Sequence, residues 1–236
     1  VMRLRSAKSS VRLRIAPLKA AAFGAILGVG LVSALGTIFA NLTTILVTAA
    51  VGGAGAAAIA GYGIASRIDF LLIPMLFGFA TAVVTVVGVA TGAGRPARAR
   101  EAAWKAAALA FATTQSVGVV AAFFPASWMG FFSSDPDVIA RGAEYLRFAA
   151  PVYGAFGAGL MLYFASQGLG KVHWPFLAGL TRLLVTGFLS WRLAEAFKGV
   201  TGPAIAVAAG YVLFGAINAI GFLSVTRRSE TTQTAR

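Results

Sequence analysis

Long apolar stretches, almost free of charge, run through most of the chain and are separated by short segments that hold most of its charged residues. Each stretch reaches the roughly 20 residues that an α-helix needs to cross the hydrocarbon core of a bilayer. The predicted spans are residues 20–51, 56–91, 102–124, 138–166, 174–197 and 202–225. The sequence therefore predicts an all-α integral membrane protein built as a bundle of six transmembrane helices.

The low charge content supports this fold class over a soluble one. Charged residues make up 11% of the chain, against roughly 25% in soluble domains, which need charge to coat their surface. A lipid-facing barrel would need sustained alternation of apolar and polar residues, and the spans lack it. Helices satisfy their own backbone hydrogen bonds in lipid. The composition thus excludes a soluble enzyme domain and favours a helical bundle.

The basic residues predict the topology. Fourteen of the 20 Lys and Arg residues lie in segments that alternating spans bring to one side, namely 1–19, 95–105, Lys171 and 226–236. By the positive-inside rule, that side is cytoplasmic. We expect a basic cytoplasmic lead-in at 1–19 and a cytoplasmic tail at 226–236, in a multi-pass protein of the inner (plasma) membrane. The net charge of +13 is then a topology signal that also favours contact with anionic lipid, and no nucleic-acid partner is expected.

The sequence predicts no metal centre, no cofactor and no catalytic residue. It has no cysteine and a single histidine, His173, so neither a thiolate site nor a multi-histidine site is available. The glycines lie in apolar stretches, and no GxxxxGK[ST] phosphate-binding loop is present. Intramembrane enzymes need clusters of His, Asp, Ser or Cys within their spans, and these are missing as well.

Several short motifs, taken in order, resemble those of the multidrug and toxic compound extrusion (MATE) transporters. They are AAIAGYGIASRI at 57–68 followed by Pro74, GAG at 92–94 followed by Arg95, FFSSDPDVI at 131–139, and QGLGK at 167–171. The resemblance implies that residues 20–225 form one six-helix lobe, the C-terminal one, of a twelve-helix transporter. It also implies antiport, in which organic and often cationic compounds leave in exchange for H⁺ or Na⁺.

The resemblance leaves alternatives open for the assembly and for the cargo. The expected partners are small organic substrates, membrane lipid, and either the missing other lobe of the same polypeptide or a second copy of the chain. A flippase of the same superfamily, moving lipid-linked substrates, is one alternative function. A six-helix transporter that works as a homodimer is another.

Charged and polar residues inside the spans are the candidate binding residues, because burying them in lipid is costly. Asp69 is the strongest candidate for binding a cation, a proton or the substrate, and Tyr153 offers an aromatic ring for an organic cation. A packing role is the competing interpretation for each residue. The full candidate set for substrate or cation binding is Asn41, Arg67, Asp69, Tyr153 and Arg182.

Two prolines inside predicted spans, Pro74 and Pro151, are expected to kink their helices, because proline removes a helical hydrogen bond. For the span at 56–91 we expect one long helix kinked at Pro74, with two shorter helices as the alternative. One departure from the family concerns coupling. In one branch, acids in the first and fourth helices of this lobe bind the coupling cation, whereas here the first span has none and the fourth has only Glu144, near its start. The resemblance then implies proton coupling through an aspartate of the other lobe.

Overall fold

A computed structural model describes residues 20–197 and 199–234, and these residues form helices joined by short turns. The predicted lead-in, residues 1–19, lies outside the described residues. The prediction of an all-α membrane fold is confirmed. In chain order, the helices are α1 (Ala20–Gly52), α2 (Ala56–Ala65), α3 (Arg67–Gly92), α4 (Pro96–Phe123), α5 (Pro125–Gly130), α6 (Pro136–Ala149), a 3₁₀ turn (Ala150–Val152), α7 (Tyr153–Gly168), α8 (His173–Phe197) and α9 (Thr201–Thr234).

Five stretches of the described residues are long and apolar enough to cross a membrane. They are Ser33–Gly52, Ala56–Gly92, Pro96–Phe123, Pro136–Gly168 and Thr201–Thr226. The fifth predicted span, 174–197, corresponds to α8, which has 25 residues but is not among these five stretches. Helix α8 packs against both α1 and α9. The count of six spans therefore stays a prediction.

Proline and aspartate set two helix starts. Helix α4 begins at Pro96, six residues before the predicted span, because proline lacks the N–H that a first helical position leaves unpaired. Helix α6 begins at Pro136, where Asp135 caps it by accepting a hydrogen bond from the Asp137 amide at 2.9 Å. At the other end of the chain, α9 continues past residue 225 to Thr234 and enters the predicted tail.

The span at 56–91 is divided into two helices. Helices α2 and α3 meet at Ser66, and α3 then remains helical through Pro74. The structure thus favours two helices over one, with the interruption eight residues before the proline. In the fourth span, the 3₁₀ turn that separates α6 from α7 contains Pro151. These two interruptions lie beside the residues that form the site described below.

Glycines allow α7 and α9 to approach closely. A Cβ atom added at Gly159 of α7 would lie 2.7 Å from the Cα atom of Gly215 on α9. Contacts of this kind, small residue against small residue, are how helices pack tightly where lipid provides no hydrophobic driving force. The close approach fixes the wall of the cleft that these two helices form.

Candidate functional site

A cleft of about 420 Å³ opens inside the bundle, lined by residues of α1, α2, α3 and α6 to α9. Its size falls in the range of roughly 300–1,000 Å³ that small-molecule sites occupy. The walls combine phenylalanine and tyrosine rings with serine, threonine and asparagine side chains. Among the described lining residues, Asp69 is the one acid and Arg182 the one base. The cleft therefore has apolar walls and one charge of each sign.

Asp69 lies in the first turn of α3, where its negative charge suits the positive end of the helix dipole. Its Oδ2 atom accepts a hydrogen bond from the Tyr145 hydroxyl at 2.9 Å, and Tyr145 is fully buried in α6. The other oxygen, Oδ1, is buried and has no hydrogen-bond partner among the described residues. One oxygen of the carboxylate is thus tied to the protein, and the other is buried without a hydrogen bond.

Tyrosine rings surround this carboxylate. The Tyr62 ring meets the Tyr145 ring edge to face, with centroids 5.1 Å apart, and the Tyr153 and Tyr211 rings are 6.0 Å apart. The hydroxyls of Tyr153 and Tyr211 also lie near Asp69. Four of the five tyrosines of the chain therefore converge on Asp69.

Arg182 occupies the middle of α8, and its guanidinium group lies over three aromatic rings. The Cζ atom is 4.9 Å from the ring centroid of Tyr211, 5.3 Å from that of Phe156 and 5.9 Å from that of Phe214. Such cation–π contacts hold a guanidinium in place without using its N–H donors. Arg182 influences Asp69 through the electrostatic field across the cleft, not through an ion pair.

Polar side chains of α4 support the interruption between α6 and α7. The Gln115 amide donates to the carbonyl oxygen of Pro151 at 3.0 Å and accepts from the Gly154 amide at 3.0 Å. The Thr114 hydroxyl donates to the carbonyl oxygen of Tyr153, also at 3.0 Å. A helix broken at proline leaves backbone groups unpaired, and neighbouring side chains can satisfy them in lipid. This clamp fixes the backbone that carries Tyr153 towards Asp69.

The structure brings some predicted residues together and leaves others apart. Asn41, Asp69 and Arg182 line the cleft, and the Asn41 amide also donates to the carbonyl oxygen of Thr37 at 2.9 Å. Tyr153 is fully buried and does not line the cleft. Arg67 is exposed outside it, with its guanidinium 5.0 Å from the ring centroid of Phe132. Their roles in binding stay predictions.

Sequence reasoning missed Tyr62, Tyr145 and Tyr211 as members of the site. Each lies inside an apolar stretch, where a tyrosine has a hydroxyl that needs a partner. That need was the available signal, but their convergence on Asp69 depends on how α2, α6 and α9 pack. The adjacent polar residues Thr114 and Gln115 in an apolar span gave a similar signal for the clamp.

The chain is similar to known proteins both in sequence and in fold. The sequence model described as MatE matches residues 33–191, and no curated protein sequence matches the chain. Among solved structures, the outward-facing conformation of a multidrug resistance MATE family transporter of the MOP superfamily matches with a TM-score of 0.85, at 20% identity, over 94% of this chain and 50% of that one.

Two further structures have named sources. The bent form of the MATE transporter VcmN from Vibrio cholerae has a TM-score of 0.79 and 19% identity, and covers 89% of this chain and 48% of its own. A MOP superfamily transporter from Pyrococcus furiosus, for which a reverse polarity of the binding pocket is described, has a TM-score of 0.82 and 20% identity, with 91% and 49% covered. The chain therefore has the fold of these proteins and spans about half their length.

Proposed function

The chain belongs to the MatE family of membrane transporters, and from that premise we propose that it forms one lobe of a secondary active antiporter. In this proposal it exports organic, often cationic compounds in exchange for H⁺ or Na⁺. MatE members are transporters and not enzymes, and ion coupling takes the place of a cofactor. The cleft would bind the substrate, and alternating access would come from movement against a second lobe or a second copy.

The observation that carries the proposal is the half-satisfied carboxylate of Asp69 in a cleft of aromatic rings. One oxygen is held by Tyr145 at 2.9 Å, and the other is buried without a partner. An uncompensated charge in a membrane is costly, so residues of this kind mark ion and substrate paths. An organic cation and a coupling ion would compete for the same carboxylate. Binding of the ion would then release the organic cation.

The neighbours of Asp69 favour a proton as the coupling ion. A Na⁺ ion needs several oxygen ligands, whereas a proton needs only the free oxygen Oδ1. The nearby hydroxyl of Tyr145 donates towards Asp69, and the positive charge of Arg182 disfavours a metal cation. The proposal also includes the orientation: the protein lies in the inner membrane with both termini in the cytoplasm, as the distribution of its basic residues predicts.

The test is the Asp69→Asn variant of the protein as its gene encodes it, reconstituted in proteoliposomes. Asparagine keeps an oxygen that can accept from Tyr145 but has no charge and does not titrate. We expect efflux of ethidium, an aromatic cation, driven by a pH gradient to be lost while yield and thermal stability remain. Asp137→Asn, on an exposed helix start, is the matched control. Unchanged efflux in Asp69→Asn would contradict the proposal.

A further inference from the structure

A second cavity lies at one end of the bundle, between the ends of α1 and α8. It has a volume of about 500 Å³ and is separate from the central cleft, because the two share no lining residue. Most of its wall is alanine and glycine, and the larger side chains among its described lining residues are Trp191 and Glu195 of α8. The distribution of basic residues predicts that this end of the bundle faces away from the cytoplasm.

The packing of α1 against α8 explains why the cavity exists. Deeper in the bundle the two helices touch, since a Cβ atom added at Gly187 of α8 would lie 2.7 Å from the Cδ1 atom of Leu46 on α1. Towards the end of α1, the residues that line the cavity are small, among them Ala49 and Gly53. The side chains there are too short to fill the space between the helices. The ends of membrane-spanning helices lie at the level of the lipid headgroups, so a headgroup is the natural occupant of such a space.

The exposed face of α8 leads from the apolar part of this helix to the cavity. Leu184, Phe188 and Trp191 are each more than half exposed, and their spacing of four and three residues places them on one face of the helix. Glu195 follows one turn later and is also exposed. Tryptophan is enriched at the boundary between membrane and water. Along α8, the order of apolar residues, interfacial ring and charge matches the order of chains and headgroup in a phospholipid.

Two opposite charges border the cavity. In the described part of the chain, no basic group lies within salt-bridge distance of Glu195. A Cβ atom added at Gly199 would lie 3.2 Å from the Nη1 atom of Arg141, so this guanidinium lies beside the cavity wall. Arg141 makes one long contact of 3.5 Å with Glu144, which leaves most of its five N–H donors for another oxygen. A carboxylate and a guanidinium together match a headgroup that carries an ammonium and a phosphate.

We propose that this cavity binds a phospholipid with a primary ammonium headgroup, a phosphatidylethanolamine, from the non-cytoplasmic leaflet. Glu195 accepts hydrogen bonds from the ammonium group, the ring of Trp191 makes a cation–π contact with it, and Arg141 binds the phosphate. The acyl chains lie along the exposed apolar face of α8. A primary ammonium fits better than choline, because it has the N–H donors that a carboxylate accepts. The inference does not depend on which compound the central cleft carries.

The test measures lipid binding to the purified protein, as its gene encodes it, by native mass spectrometry. Dioleoyl phosphatidylethanolamine, phosphatidylcholine and phosphatidylglycerol are added in equal amounts, so that only the headgroup differs. We expect phosphatidylethanolamine to be bound about three- to fivefold more than either of the others, since an exposed ion pair contributes modestly. A wild-type protein without this preference, as when a second lobe or a second copy covers the cavity, overturns the inference.

The variants assign the preference to the cavity. In Glu195→Gln, the three lipids should be bound within about twofold of one another, because the charge that recognises the ammonium is gone. Thermal stability should remain, since the carboxylate is exposed. Arg141→Gln should weaken the binding of all three lipids alike, because each carries a phosphate. Asp137→Asn, which changes an exposed acid at the start of α6, is the matched control and should keep the preference. A preference that survives Glu195→Gln overturns the inference.

Two further arms separate the lipid from other partners of Glu195. Lys198 lies outside the described residues, and its place three positions after Glu195 makes it a competitor for the carboxylate. Lys198→Gln should therefore keep or raise the preference, and a loss of the preference overturns the inference. The compound sn-glycero-3-phosphoethanolamine has the same headgroup without acyl chains and should not displace the lipid at equal concentration. If it does, the cavity binds free ammonium compounds, and the assignment to a lipid is overturned.

Discussion

The hydroxyl of Tyr145 lies 2.9 Å from Oδ2 of Asp69 and joins two helices whose residues are 76 positions apart in the chain. Tyr145 is fully buried in α6, and Asp69 is partly buried at the start of α3. A hydrogen bond to a charged group contributes more to stability than one between neutral groups, about 1.5–3 kcal/mol. This contact therefore fixes the position of the carboxylate, while its second oxygen has no hydrogen bond.

The first prediction removes the hydroxyl of Tyr145 and keeps its ring. In Tyr145→Phe, both oxygens of Asp69 lack a fixed donor, so we expect a lower thermal midpoint and weaker binding of cations, by about 3- to 10-fold. Tyr163→Phe is the control, because Tyr163 lines the same cleft but interacts with Gln167 and Ser33. Thermal unfolding and calorimetry on the purified proteins check the prediction. Equal effects of the two substitutions would contradict a specific role for the hydrogen bond between Tyr145 and Asp69.

The second prediction concerns the clamp on the interrupted helix. In Gln115→Leu, the exposed carbonyl of Pro151 and the buried amide of Gly154 lose their partners, and the buried amide alone costs about 1–3 kcal/mol when it is unsatisfied. We expect a clear fall in thermal stability, with efflux reduced because Tyr153 loses its fixed backbone. The neighbouring Ser116→Ala removes only a hydrogen bond within α4, to Ala112, and should change little. A Gln115→Leu protein as stable as Ser116→Ala would refute the clamp.

Particular residues show how far the sequence determines the site. Hydropathy was enough for the helical membrane fold, and the cost of an intramembrane charge singled out Asp69 and Arg182. Those arguments use local composition, and they do not say which side chains meet.

Arg67, two positions before Asp69, lies outside the cleft because residues two apart on a helix point in different directions. The convergence of Tyr145 and Tyr211 depends on packing between helices, which no local pattern encodes. The interruption at Ser66 was also missed as such, since attention fell on Pro74, where α3 stays helical.

The third prediction tests the close approach of α7 and α9. In Gly159→Ala, the new Cβ atom meets the backbone of Gly215 at 2.7 Å, and neither backbone can move aside without shifting a helix. We expect destabilisation of about 1–3 kcal/mol, as for other overpacked interiors. Gly63→Ala, on α2, meets nothing within 4 Å and should be neutral or slightly stabilising, because alanine favours helix. Thermal unfolding of both variants checks this prediction, and equal stability would exclude the tight contact between Gly159 and Gly215.

The fourth prediction separates the two arginines of the spans. Arg67 contacts Phe132 outside the cleft, whereas Arg182 lines it. We therefore expect Arg67→Gln to leave the affinity for ethidium within about twofold of the wild type, whereas Arg182→Gln should raise it, because a positive charge is removed from the cleft. Calorimetry on the two purified variants checks this. An equal change of affinity in both variants would contradict the placement of Arg67 outside the cleft.

The last prediction follows from the titration of Asp69. A protonated carboxylate no longer attracts a cation, so binding of tetraphenylphosphonium, whose own charge does not depend on pH, should weaken as pH falls. Asp69 is the one acid among the described residues that line the cleft, so the pH dependence of cation binding is assigned to it. In Asp69→Asn the pH profile should be flat and the affinity close to the low-pH value of the wild type. Repeating the profile at high and low NaCl, at fixed ionic strength, separates the ions: a profile that responds to Na⁺ and not to pH would exclude the proton as the competitor at Asp69.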